Sequence, residues 1–119
     1  DISLLEGCWD LDSNFETVSA RNERYPVQSW SMCFDANGSG AQNFRAFRDR
    51  IPCSGPVRGA FDPDGRMSID FVRDAQCQGG GRILRREATC ELTPEGRARC
   101  TSIRESDGLR QTFVLRRRR

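Results

Sequence analysis

The chain of 119 residues contains no histidine, and because all 19 of its basic residues are arginine it contains no lysine either. Without histidine the commonest general base of enzymes is missing, and without lysine Schiff-base chemistry is excluded. The G-x-S-x-G motif, which holds the serine nucleophile of many hydrolases, is also absent from the sequence. These absences predict a protein that is not an enzyme and that has no catalytic residues and no cofactor.

Metal-binding patterns are missing as well, because no two cysteines form a C-x-x-C pair and no histidine stands beside them. Residues 35–40 resemble the first half of a calcium loop, but the twelfth position, which needs a bidentate acid, is Ala46. We therefore predict no metal site. An even, scattered set of cysteines in a small chain indicates three disulfides and an oxidising compartment, either the periplasm or the extracellular space. The set is Cys8, Cys33, Cys53, Cys77, Cys90 and Cys100.

No apolar run approaches the roughly 20 residues of a membrane-spanning helix. The net charge is +2, and four of the positive charges belong to Arg116 to Arg119. The rest of the chain carries 15 basic and 17 acidic residues, a balance of −2, which argues against a nucleic-acid partner. The length predicts one domain over residues 1–119. Because the chain starts at Asp1, we expect a processed form or a domain excised from a longer secreted protein.

Turn signals containing glycine or proline recur along the chain and separate runs of strand length. The predicted strands are 6–12, 27–35, 40–47, 54–61, 66–73, 82–92, 97–105 and 109–116. Apolar residues alternate within them, and the break at Phe44 and Phe47 predicts a bulge or a strand end there. Eight strands with short connections predict an all-β fold, an antiparallel up-and-down β-barrel, with a β-sandwich as the alternative. The only long connection covers residues 13–26.

The predicted barrel also pairs the cysteines, because its turns fall alternately at two ends. Cys8 and Cys33 lie at one end, whereas Cys53 and Cys77 lie at the other. Cys90 and Cys100 flank one turn symmetrically and face each other across a hairpin. Of the 15 possible connectivities, we therefore predict Cys8–Cys33, Cys53–Cys77 and Cys90–Cys100.

Four residues are candidates for binding a ligand or a partner. Tyr25 and Trp30 lie at the exit of the long connection and are expected to line a barrel mouth, where barrels commonly bind ligands. Alternation turns Arg86 and Arg104 towards the interior, in register with Cys90 and Cys100. A buried arginine needs a counter-charge, which would be either an internal acid or an anionic ligand. A register shift of one residue would instead turn both arginines to solvent.

The segment Leu4-Leu-Glu-Gly-Cys-Trp-Asp-Leu11 resembles the G-x-W opening of lipocalin-like (calycin) barrels. The resemblance implies that Trp9 closes one barrel end under an arginine from the last strand, for which Arg116 is the candidate. In size the chain is similar to bacterial periplasmic barrel inhibitors of metalloproteases or lysozymes. The protease inhibitors among them insert an N-terminal arm into the enzyme, and here only residues 1–5 would be available for that role.

The leading functional hypothesis is a non-catalytic, extracytoplasmic binding module that uses the barrel mouth or residues 13–26 to engage a partner protein or a small ligand. The alternatives are an inhibitor of a secreted protease or lysozyme, and a structural domain of a larger envelope or secreted protein. A ligand binder should have an open cavity lined with polar groups. An inhibitor should have a filled barrel with an exposed loop, and a structural domain should have a large apolar patch on its outer face.

Overall fold

The computed structural model describes residues 4–19, 21–46 and 51–119, and these residues form an all-β fold. Alternating side chains and closely spaced turn residues favour strands over helices throughout. The strands are β1 (Gly7–Leu11), β2 (Glu16–Val18), β3 (Arg24–Phe34), β4 (Ser39–Ala46), β5 (Ile51–Phe61), β6 (Met67–Asp70), β7 (Ala75–Cys77), β8 (Arg82–Ile83), β9 (Arg86–Leu92), β10 (Arg97–Arg104) and β11 (Arg110–Arg117).

Eight of these strands close into an antiparallel barrel, in the order β1-β3-β4-β5-β6-β9-β10-β11 and back to β1. The ring follows the chain order, so the predicted up-and-down β-barrel is confirmed. The seam that closes it joins the first and last strands, with Trp9 paired to Arg117 and Leu11 paired to Leu115. Closure satisfies the edge hydrogen bonds of the eight strands, which an open sheet would leave unpaired.

Three short strands lie outside the ring and refine the predicted boundaries. β2 falls within residues 13–26 and pairs with an extension of β3, so that connection is partly sheet. The predicted strand 82–92 is divided, because β8 pairs with β7 whereas β9 pairs with β6 and β10. The irregularity predicted near Phe44 lies on the partner strand, between Val27 and Ser29 of β3. Phe47 lies outside the described residues.

All three predicted disulfides are present: Cys8–Cys33, Cys53–Cys77 and Cys90–Cys100. Each joins residues that face each other on neighbouring strands. The prediction placed Cys53 before its strand, but β5 is longer and contains it. Disulfides that persist are typical of an oxidising compartment, and the three bridges are consistent with one.

Side chains from every strand of the ring fill the barrel interior. Its largest fully buried members are aromatic, namely Trp9, Trp30, Phe44 and Phe71, and sulfur-containing Met32 and Met67 pack among them. Strand alternation explains the filling, because inward positions on both sides of the barrel carry large side chains. The described interior is therefore a packed core rather than an open ligand cavity.

The barrel end that carries the G-x-W segment is closed by Trp9, whose indole N–H donates to Leu5 O at 3.0 Å. Gly7 precedes it with φ +112°, a conformation that side chains rarely adopt, and a Cβ there would lie 3.5 Å from Arg117. The guanidinium of Arg117 lies 4.6 Å from the Trp9 ring centroid and donates to Glu6 O at 2.7 Å.

The arginine over Trp9 is therefore Arg117, and the prediction of Arg116 was wrong. Because Leu115 points inward, alternation places Arg117 on the inner side and turns Arg116 outward to an ion pair with Asp12 at 3.3 Å. Leu5 is fully buried at this end. It therefore belongs to the protein's own core.

Replacement of Arg117 by alanine should destabilise the barrel by about 1–2 kcal/mol, because it removes a cation–π contact and a hydrogen bond. The matched control is Arg116→Ala, which breaks only an exposed ion pair and should change the free energy of unfolding by less than about 0.5 kcal/mol. Guanidinium unfolding of both variants measures the difference. Equal losses would mean that Arg117 contributes nothing beyond a surface charge.

Candidate functional site

The barrel end opposite Trp9 is covered by part of the 13–26 connection, and we call residues 13–19 the cover segment. Phe15 inserts its ring between Trp30 at 5.2 Å and Phe113 at 5.6 Å, measured between centroids. Val18 is also buried. Gln111 donates from Nε2 to Glu16 O at 2.7 Å, which ties the cover segment to the last strand. The barrel mouth is thus closed in this structure.

Arg104 anchors the cover segment from inside the barrel. Its side chain is buried, its Nη1 donates to Val18 O, and Nε and Nη2 donate to the two carboxylate oxygens of Asp107 at 2.9 and 2.6 Å. The hydrogen bonds from Arg104 are the main reason that the pKa of Asp107 falls to about 2. The prediction that Arg104 points inward is confirmed, and its counter-charge is Asp107, an exposed acid in the turn that follows β10.

Arg86 also points inward, with only 4% of its surface exposed, but it has no counter-charge among the described residues. Its Nη1 has no hydrogen-bond acceptor there. The guanidinium carbon lies 5.5 Å from the Phe15 ring centroid and 5.7 Å from that of Trp30. Burial and, secondarily, nearby Arg104 lower the pKa of Arg86 to about 10, so it remains charged at neutral pH.

The two aromatic candidates occupy different environments. Trp30 lies in the core, 2% exposed, and its indole N–H donates to Gln42 Oε1 at 2.9 Å. Tyr25 lies half-buried on β3, opposite Thr17 of β2, and its hydroxyl donates to Glu23 at 2.8 Å. Phe15 of the cover segment contacts both Trp30 and Arg86. Tyr25 belongs instead to the β2–β3 pair. The binding roles assigned to all four residues stay predictions.

The outer face of the barrel offers a second candidate, a groove of about 710 Å³ over β9, β10 and β11. We call it the β9–β11 groove. Its centre is a row of threonines, because Thr89 faces Thr101 and Thr101 faces Thr112 across adjacent strands. Ser13 and Asn14, at the start of the cover segment, also line it. The groove therefore adjoins the outer side of the covered mouth.

Positive charge dominates the β9–β11 groove, which is lined by three arginines and one glutamate. Arg66 forms an ion pair with Glu91 at 3.5 Å. Arg99 and Arg110 form no ion pair with any carboxylate in the described part of the chain. Arg110 faces Ile103, which lies four residues along β10 from Arg99. The backbone positions of the two arginines are therefore about 13 Å apart along the strand direction.

Sequence reasoning missed the β9–β11 groove. Outward positions on three strands carry threonine at equivalent places, and alternation alone would have shown that these residues face solvent. The predicted Cys90–Cys100 pairing already places Thr89 opposite Thr101. The position of Thr112 depends on the register between β10 and β11, which was not predicted. Alternation therefore identified the outward residues of each strand, but it did not show that residues of three strands form one groove.

Membrane-spanning helices and metal sites are both absent from the described ranges. No described helix has the length and apolar character needed to cross a membrane. Within the same residues, no group of three or more histidine, cysteine or acidic side chains is placed to hold a metal ion. Comparison of the chain with family models, curated proteins and solved structures finds no match. The lipocalin-like resemblance stays a prediction.

Proposed function

We propose that this protein is a non-catalytic binding module of the periplasm or extracellular space that engages an acidic segment of a partner protein in the β9–β11 groove. The observation that carries the proposal is the placement of Arg99 and Arg110, which form no ion pair with a described carboxylate, on opposite sides of the threonine row along the strand direction. Glu91, which faces Arg99 on β9, is held by Arg66. Opposite charge on a partner would be attracted there and oriented along the strands.

The filled interior supports a protein partner over a sizeable small ligand. Large side chains occupy the described core, so a ligand of ordinary size would have to displace them. The outer groove needs no such rearrangement, and its threonine hydroxyls provide donors and acceptors between the two arginines. An exposed Ile103 adds an apolar contact in the same groove.

The partner segment that fits best is extended and carries two carboxylates about 13 Å apart, which corresponds to four residues of a strand. Shorter spacings would leave one arginine unpaired. Inhibition of a secreted hydrolase would be a special case of this binding, acting through the groove because Leu5 is buried in the core. A structural domain of a larger envelope protein is the remaining alternative, in which the groove would contact a neighbouring domain.

A labelled seven-residue peptide tests this proposal, with two glutamates four positions apart and threonine or valine elsewhere. Its binding to wild-type protein is measured by fluorescence anisotropy at low salt. Replacing both Arg99 and Arg110 by alanine should weaken binding by about 10-fold, since each exposed charge pair contributes up to about 1 kcal/mol. Added salt should weaken the wild-type complex towards the same level.

The matched control is Arg58→Ala, which removes an exposed arginine from β5 on another part of the barrel. This variant should bind the peptide as wild type does. A second peptide, with glutamine in place of both glutamates, should bind the wild type no better than the double variant binds the acidic peptide. An equal loss in the β5 variant, or equal binding of the glutamine peptide, would refute the groove as the acidic-segment site.

A further inference from the structure

Arg86 is a buried cation whose hydrogen-bonding capacity is not met by the described residues. Its Nη1 has no acceptor among them, and because Arg86 is only 4% exposed, bulk water does not replace the missing acceptor. A guanidinium does not give up its proton at physiological pH, so burial cannot neutralise it. The rings of Phe15 and Trp30 attract its charge at 5.5 and 5.7 Å but offer no oxygen lone pair for the N–H groups.

The neighbouring charges make the need for an anion greater. Arg104 lies directly opposite Arg86 on β10, and like charges so placed repel. Asp107 is engaged on both oxygens by Arg104 and is not available to Arg86. The adjacent Arg85 points outward to Asp70 and Glu105, at 3.3 and 2.6 Å, so those carboxylates are engaged as well.

We propose that Nη1 of Arg86 holds a small monovalent anion, either a halide or the carboxylate of a small acid, under the cover segment. Small size follows from the filled interior, since Phe15 and Trp30 pack 5.2 Å apart beside the guanidinium. Single charge follows from the donors, because one unpaired guanidinium cannot replace the hydration of phosphate or sulfate. This site is separate from the β9–β11 groove and does not depend on the partner proposed there.

The test uses full-length, disulfide-bonded protein and two readouts. The first is the NMR signal of the Trp30 indole N–H and the Arg86 Nε–H during titration with sodium chloride, nitrate, formate or acetate. The second is the unfolding equilibrium in the same salts, compared between wild type and Arg86→Met. The comparison with the variant cancels the general effect of salt on stability.

We expect saturable shifts of both signals in the wild type with at least one anion. A concentration 100 times the dissociation constant should lower the wild-type unfolding constant by about 100-fold and leave Arg86→Met unchanged. A response to chloride and nitrate would identify a halide-type site, and a response to formate and acetate would identify a carboxylate site. The exposed variant Arg58→Met should respond as wild type does.

The opposing result is a wild type whose signals do not saturate with any of the four anions. The chain has two carboxylates outside the described residues, Asp1 and Asp49. If the Arg86 signal moves in the Asp1→Asn/Asp49→Asn double variant without added anion, and no anion binds the wild type, an internal acid neutralises Arg86 and the proposal is wrong. If Arg86→Met does not fold, the unfolding comparison uses Arg86→Lys in its place, and the wild-type NMR titration tests anion binding without any variant.

Discussion

Replacing Trp30 by alanine is expected to destabilise the barrel by about 3–5 kcal/mol, the usual range for a fully buried aromatic residue. The ring contacts four others, with centroids 4.7 Å away for Phe113, 5.2 Å for Phe15, 5.3 Å for Phe44 and 5.7 Å for Phe71. The change also leaves the side-chain oxygen of Gln42 buried without its donor, which costs about 1–3 kcal/mol when no water replaces it. Chemical unfolding of the oxidised protein measures the loss.

The comparison variant is Ile103→Ala on the outer face, where 43% of the isoleucine is exposed. It should change the free energy of unfolding by no more than about 0.5 kcal/mol. Trp30→Phe should fall between the two, because it keeps a ring but loses volume and the indole N–H. A Trp30→Ala loss as small as that of Ile103→Ala would mean that Trp30 lines an accessible mouth instead of the core.

Removing the Cys53–Cys77 disulfide by a double alanine substitution should cost about 3–4 kcal/mol, by the entropy of the loop that the bridge closes in the unfolded chain. The two cysteines are 24 residues apart. The Cys90–Cys100 bridge, which spans 10 residues, should contribute slightly less, about 3 kcal/mol. The midpoint of thermal unfolding, followed by near-ultraviolet circular dichroism, gives the order of the two effects.

Reduction of all three bridges should unfold the chain, since their summed contribution of roughly 9–10 kcal/mol matches the whole stability of many domains. Mass spectrometry, with a gain of six hydrogens, verifies complete reduction. A reduced protein that kept its cooperative transition at the oxidised midpoint would show that the core alone determines the fold. The mixed variant Cys90→Ala/Cys100→Ala serves as the reference with two bridges intact.

The barrel and its disulfides could be predicted because they depend on local signals. Alternation marks the inner face of each strand, and glycine or proline turns mark where the chain reverses. A ring in chain order then fixes which ends of the strands lie together, and this placed all six cysteines. The same alternation turned Arg86 and Arg104 inward correctly, since β9 and β10 are regular from end to end.

The features that were missed depend on position along the barrel axis or on contacts distant in sequence. Alternation says that Trp30 points inward but not how far it lies from the mouth, which the stagger between strands decides. Leu115 was predicted to point inward, and because residues two apart share a face, Arg117 should have been predicted inward as well. The choice of Arg116 overlooked this. β2 has three residues and no alternation of its own, and tertiary pairing with β3 creates it.

The seam between β1 and β11 has a consequence for how the molecule folds and opens. None of the three disulfides crosses it: they join β1 to β3, β5 to β7 and β9 to β10. The cylinder therefore closes only through contacts between residues about a hundred positions apart, such as Leu11 with Leu115, and contacts of that range form slowly. The oxidised chain can therefore separate between β1 and β11 into a curved open sheet that keeps all three disulfides intact.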